Sequence, residues 1–331
     1  MSQPFLRVRT GALLLLLILS VGLIPALAGC GHYQTQVSSP LRLGVLPIED
    51  NFPFFVAEQE SLFQKFGLTV QLVPFNSARD RDMALQAGQI DGETADPIAT
   101  ALLLKAGTPV KIVGLTMGAR PEEGRFALLA APGSTVTAPQ DLAGKTVAIS
   151  ENTVIEYVTD QLLLGAGLDP SRVEKTPVPD MAQRLQLLLS HQVEAAVLPD
   201  PLATLAEKQG ARVILDDTRQ PDNLSQVVLV FREEVIRNRR PELMKLLQAY
   251  QEAAARVATD PEAYRGLFIE RTRLPEALKD TYLTPRYSAP GLPQPTDLER
   301  VMRWMVSKGL LAEPYCYQDL VEEGIIRDLR P

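Results

Sequence analysis

Two stretches of the chain carry nearly the same phrase: GQIDGETADPIAT at Gly88–Thr100 and HQVEAAVLPDPLAT at His191–Thr204. Each reads as a helix end, then a short buried strand, then an Asp-Pro pair opening the next helix; the second copy has one extra residue. An aspartate closing a strand accepts the first free N–H groups of a helix, and proline at the first helical position costs no donor. Asp96 and Asp200 are therefore expected to cap helices. The pairing says more than either cap, because two βα series of like construction imply two lobes. In open α/β sheets ligands sit beyond the carboxyl ends of the strands, so Asp96 and Asp200 are expected to face each other across a cleft.

Outward from these phrases, the chain from Leu41 alternates β-type runs with amphipathic stretches, the pattern of parallel sheets with helices on their faces. LRLGVLPI, LTVQLVPF, IDGETA and KIVGLTM read as strands of a first series, with Phe54, Phe55, Leu62, Phe63 and Phe66 on one helical face between the first two. A second series opens after RFALLAAPGS with a strand ending at Ser150, a helix over Val154–Leu164, extended chain at Thr176–Val178, a helix over Met181–Leu189, then EAAVL and ARVILDD. QVVLVF is a further strand, Pro241–Ala258 a long helix, and the remainder helix-rich. Leu298, Val301, Met302 and Met305 follow i, i+3, i+4, i+7 spacing and predict a helix packed on an existing core.

In order and spacing these segments resemble the type II periplasmic substrate-binding proteins of ABC importers, in the branch serving nitrate, sulfonates, taurine and thiamine-pyrimidine precursors. The resemblance runs over nearly all of residues 41–328, through FVAEQESLFQKFGLTVQL, AGQIDGETADPIATALLLKAG, GSTVTAPQDLAGKTVAIS, HQVEAAVLPDPLATLA, RPELMKLLQAYQEAAA and DLERVMRWMVSKGLL. It implies an α/β, two-lobed periplasmic-binding-protein-like fold, each lobe a mostly parallel sheet flanked by helices, with two hinge crossings. RFALLAAPG and QVVLVF would make the crossings, placing 41–130 plus 226–331 in lobe 1 and 131–225 in lobe 2.

The N-terminus reads differently. Arg7 and Arg9 precede an apolar run over Gly11–Ala28, an export signal. Leu27-Ala28-Gly29-Cys30 resembles a bacterial lipobox, which makes 1–29 a signal peptide, Cys30 a lipidated (palmitate-bearing) anchor and 30–40 a polar tether. Removing residues 1–29 leaves 31 basic against 40 acidic residues and a net charge of −9, which excludes a nucleic-acid surface. Cys316 is then the one remaining cysteine, so no intrachain disulfide is available.

The loops after the strands hold the candidate ligand-binding residues: Pro47, Glu49, Asn51, Phe54, Asn76, Ser77, Thr94, Asp96 and Met117 in the first lobe, and Ser150, Glu151, Asn152, Thr153, Asp180 and Asp200 in the second, with Tyr157 one turn into its helix. Capping is the alternative role for Ser77, Asp96, Asp180, Asp200 and the Ser150–Thr153 loop, and core packing the alternative for Phe54. Glu49, Asp50, Glu93, Glu151, Asp180 and Asp200 make the cleft acidic, whereas a sulfonate or nitrate binder needs fixed cations or many donors. A neutral or cationic amine-bearing heterocycle, pyrimidine-like, is the expected solute unless Arg79, Arg81, Arg120 or Arg125 folds inward. A sulfonate, taurine or oxyanion binder is the alternative.

No enzyme, cofactor or metal site is expected. His32 falls in the tether and His191 before a strand, and no cysteine or histidine cluster has metal-ligand spacing. An enzyme or a sensory receptor on the same fold remains the competing class. The expected partners are a small-molecule ligand, an ABC permease with its ATPase, and the membrane through the lipid anchor. The expected state is an exported monomer on the outer face of the cytoplasmic membrane or the periplasmic side of a bacterial envelope.

Overall fold

The computed structural model describes residues 39–329; the signal peptide, Cys30 and most of the tether lie outside the described residues. Ten strands form two sheets. In chain order they are β1 (Leu41–Val45), β2 (Val70–Pro74), β3 (Gly92–Ala95), β4 (Val110–Met117), β5 (Phe126–Ala130), β6 (Thr146–Ile149), β7 (Glu174–Pro177), β8 (Ala195–Pro199), β9 (Arg212–Asp216) and β10 (Val227–Arg232). The sheet orders are β2-β1-β3-β10-β4 and β7-β6-β8-β5-β9. They match position for position, each with one antiparallel strand fourth in line, β10 in the first and β5 in the second.

That strand is where the chain changes sheets. It leaves the first sheet after β4, enters the second as β5, and returns from β9 to the first as β10. Phe126–Ala130 thus belongs to the second sheet by its hydrogen bonds to β8 and β9, and the lobe boundary expected after residue 130 falls before Phe126. RFALLAAPG is apolar enough to suit either core, and strand pairing decides between them.

Helices fill the connections. The first series carries α1 (Phe52–Gln59), α2 (Leu62–Lys65), α3 (Ala78–Gln86) and α4 (Pro97–Lys105); the second carries α5 (Val154–Gly165), α6 (Met181–Leu189) and α7 (Leu202–Lys208). After β10 come α8 (Glu233–Asn238), α9 (Arg240–Thr259), α10 (Arg265–Arg271), α11 (Pro295–Ser307), α12 (Tyr317–Leu320) and α13 (Glu323–Leu329). In α9, Leu243, Leu246, Leu247, Tyr250, Ala254 and Val257 recur at three- and four-residue steps and are buried against α1 and α13. Burial of such side chains is worth about 1.5–3 kcal/mol each. Among the described residues no helix is long and apolar enough to cross a membrane.

The repeated phrase shows how close packing sets a residue. Gly92 of β3 lies opposite Phe231 of β10, and a Cβ there would come 2.4 Å from the Phe231 ring and 2.6 Å from the Val230 carbonyl oxygen. The matching place in the second sheet pairs Ala195 with the small Ala130, so alanine is accommodated.

Candidate functional site

The strand ends of both sheets converge on a set of buried acids and tyrosines. Glu49, at the start of a single 3-10 turn after β1, is 4 % exposed; its Oε2 accepts the Tyr282 hydroxyl at 2.6 Å and its carbonyl accepts the Tyr287 hydroxyl at 2.9 Å. Burial raises the Glu49 carboxyl well above its ordinary range, and the charge of Asp200, reaching across from the second lobe, raises it further. Asp50 beside it is pushed up to about 6, chiefly by burial. The first-lobe carboxylate whose field meets Asp200 is thus Glu49, where the repeated phrase pointed to Asp96.

The two aspartates of the repeat do different work. Asp96 caps α4, its Oδ1 accepting the N–H groups of Ile98 at 2.8 Å and Ala99 at 2.9 Å, with Pro97 at the first helical position. In the second copy Pro201 itself precedes α7, after a cis peptide bond, and Asp200 sits one residue earlier. Asp200 Oδ1 accepts from the backbone N–H and hydroxyl of Thr204, both at 2.9 Å, and lies 3.5 Å from Arg125 Nη1. Burial raises both aspartates' pKa.

Several expected ligand contacts are committed elsewhere. Phe54 is fully buried and tilts onto Tyr250 at 5.0 Å, so it belongs to the core where α1 packs on α9. Asn51 and Thr94 bond each other, Thr94 donating to Asn51 Oδ1 at 2.6 Å. Met117 is buried at the end of β4. Asn76 is exposed and accepts weakly from Arg273 at 3.4 Å. Ser77 and Asp180 cap α3 and α6 through the N–H groups of Asp80 and Gln183.

The Ser150–Thr153 loop also spends its donors inward. Asn152, at φ 60°, donates its N–H to Glu156 at 2.7 Å, and Thr153 caps α5 by accepting from Ile155. The Glu156 carboxylate thus answers one of the loop's N–H groups while its other oxygen faces Lys175 and Lys308. Glu151 is exposed, and Ser150 contributes its carbonyl to the Thr153 hydroxyl.

Two of the four inward candidates among the arginines do fold in, and both are neutralised. Arg81, 4 % exposed, pairs with Asp82 at 2.7 Å and lies 3.3 Å from Glu93. Arg125 meets Glu207 at 2.7 Å and Asp216 at 2.8 Å besides Asp200. Arg79 and Arg120 are exposed. Glu93 is fully buried, neither oxygen accepts an aligned hydrogen bond, and burial pushes it up to about 8 against the pull of Arg81.

Sequence reasoning missed Tyr282, Tyr287 and Arg184. The tyrosines lie in TYLTPRYSAPGLPQ, whose Pro285, Pro290 and Pro293 interrupt the helix-rich remainder and were the available signal. Arg184 is fully buried in α6 with no carboxylate: its guanidinium donates to the carbonyls of Val178 and Val197 at 2.8–3.0 Å and Pro179 at 3.3 Å, tying the ends of β7 and β8 together. Burial lowers it to about 10.

Between the lobes, a narrow crevice is lined by Asp96 and Ile98 of α4, Tyr157 of α5, Asn223 and Gln226 of the second crossing, and Asp297 of α11. Residues 49–264, which run from Glu49 through the whole second sheet and both crossings to the residue before α10, match the family described as NMT1/THI5 like. The chain belongs to that family. Among its relatives is a protein of Brachyspira hyodysenteriae described as an ABC transporter periplasmic binding protein, 22% identical over 263 residues, covering 75% of this chain and 73% of that one. The fold is that of the periplasmic aliphatic sulphonate binding protein SsuA from Escherichia coli, with a TM-score of 0.73 at 19% identity over 85% of this chain and 97% of that one. The desulfurization enzyme DSZB shares it at a TM-score of 0.62 and 17% identity, covering 87% and 98%.

Proposed function

We propose that this member of the NMT1/THI5-like family is an exported solute-binding component of an ABC importer, closing two lobes around a small organic molecule and handing it to a permease whose ATPase is a separate chain. The observation that carries this reading is the pair of matched sheets joined by two crossings, with buried Glu49 of the first lobe within the field of Asp200 of the second. The described name of the Brachyspira relative supports it. The lipid anchor at Cys30 and a monomeric state belong to the same reading.

A binder is favoured over an enzyme by what the strand ends offer: carboxylates, tyrosine hydroxyls and backbone groups. Cys316 and His191 are both exposed at the surface. The DSZB likeness keeps a reaction on this fold as the competing reading, and conversion of a bound solute by the purified protein would establish it.

The solute we infer is neutral or cationic, of the amine-bearing heterocycle kind. Glu49, Asp50 and Asp200 hold their protons above the ordinary range chiefly because they are buried, and the charges of Asp200 and Asp50 raise Glu49 further; a donor or cation placed among them relieves that cost. A second reading, a sulfonate or oxyanion, is favoured by Arg184, a buried cation without a carboxylate, and by SsuA among the structural neighbours.

Native mass spectrometry of gently purified protein tests the class, since a small molecule that travels with the protein and leaves on denaturation identifies it. Titration calorimetry between pH 5 and pH 8 then separates the two readings. A cationic solute binds more weakly as pH falls and the carboxyls take protons, whereas a sulfonate binds more tightly. Sulfonate binding with no response to amines would overturn the first reading.

A further inference from the structure

Away from the buried acids of the cleft, a second set of buried charges joins the lobes. α5 turns Glu156 and Asp160, one helical turn apart and 2 % and 5 % exposed, toward α11. Lys308 Nζ lies 2.5 Å from Glu156 Oε1, and the Trp304 indole N–H donates to Asp160 Oδ2 at 2.9 Å. Trp304 also meets the Tyr157 ring edge-on, centroids 5.5 Å apart at 73°. Lys175 of β7 pairs with both acids from within the second lobe. Beneath the charges, Tyr157, Val158 and Leu162 share one apolar cluster with Leu298, Val301 and Met302 of α11.

This seam lies beside the second crossing. Tyr157 and Gln161 of α5, Asp222 and Leu224 of the crossing, and Arg300 and Val301 of α11 line two adjoining crevices, and Arg300 reaches Asp222 at 3.0 Å. A rotation about the crossings moves points near them least. Parting the seam would strip Lys308 and the indole donor from two buried carboxylates, leaving Lys175 as the cation that faces both, and would expose a buried aromatic pair to water. By contrast, Lys208 of α7 reaches the Ala277 carbonyl and Thr281 hydroxyl of the first lobe at the exposed surface, where such a contact is worth little.

We propose that the α5–α11 seam is a third connection between the lobes that stays made when the cleft opens. Closure is then a rotation about an axis through the seam and the two crossings. The greatest travel falls between the starts of α3 and α6, which follow β2 and β7 at the sheet edges farthest from the crossings. The proposal rests on the reading above that the lobes open and close.

The test uses protein unfolded in urea and refolded after dialysis, so that bound solute is removed, with Cys30 and Cys316 replaced by serine. Spin labels are placed on an edge pair, Arg79→Cys with Gln183→Cys, and on a seam pair, Leu164→Cys with Arg303→Cys, all exposed positions. Pulsed electron resonance is expected to show edge-pair distances longer than in the present structure by several ångström, with the seam pair single and unchanged. Trp304, the one tryptophan in the chain, should stay shielded from acrylamide in the same unlabelled protein. If the seam pair lengthens with the edge pair and Trp304 becomes quenchable, the seam is a closure contact and the proposal fails while lobe closure stands. If neither pair lengthens, the proposal and the closure reading fall together.

Discussion

The two lobes place an arginine at the same position and settle its charge in different ways. Arg81 stands four residues after the Ser77 cap of α3, and Arg184 four residues after the Asp180 cap of α6; both are buried. In the first lobe β3 offers Glu93, so the arginine forms an ion pair with it and with Asp82. In the second lobe the position of β8 that matches Glu93 is Ala196, and Arg184 instead bonds carbonyls at the ends of β7 and β8. A repeated fold therefore preserves where a side chain goes, while its electrostatics are set lobe by lobe.

The sharpest way to break this comparison is to remove each cation. Arg184→Met leaves buried carbonyls of Val178 and Val197 short of donors, each orphaned group costing about 1–3 kcal/mol, so a total loss of about 3 kcal/mol or more is expected in urea unfolding. Arg81→Met should cost less, because Glu93, already pushed up to about 8, answers by holding its proton. Equal losses would mean that the two arginines are held alike.

Next in size is the contrast within the repeated phrase. Asp96→Ala removes a cap with two N–H partners and should cost about 1–2 kcal/mol of stability with solute affinity unchanged. Asp200→Ala should weaken binding of the solute recovered by mass spectrometry at least tenfold, about 1.4 kcal/mol. Lower stability at unchanged affinity would reduce Asp200 to a structural role.

A pH series sharpens the comparison further, because each lobe holds an acid with a raised pKa: Glu93 at about 8 and, in the second, Asp217 at about 7, both chiefly through burial. Such a group contributes stability that is full below its unfolded pKa and is lost as pH rises through the folded value. The melting temperature should therefore fall between pH 5 and pH 8.5. Glu93→Gln should flatten the upper part of that fall and Asp217→Asn the lower; a curve unchanged by both would refute the assignment. The smallest effect expected is Ser77→Ala, about 0.5–1 kcal/mol from one exposed cap, seen as a slight shift in the urea midpoint.

Much of the fold was legible because periodicity is local. Alternating strand patterns, helix spacing and the two Asp-Pro phrases located nearly every element and the two-series plan, including α11 from Leu298, Val301, Met302 and Met305. The site was legible only as a set of strand-end loops. Asn51 and Thr94, both strand-end candidates, bond each other, and Phe54 takes the core packing that was its alternative role.

What the sequence by itself determined is the succession of strands and helices, the duplication and the acidic balance, all set by neighbours within a turn or a strand length. What only the tertiary structure decided is which sheet takes Phe126–Ala130, that Arg125 and Arg81 turn inward to acids, and that Tyr282 closes on Glu49 from 233 residues away. Those outcomes depend on which groups find partners when water is excluded. A buried carboxylate must find a donor, a cation or a proton, and no local pattern says which of them the folded chain will bring.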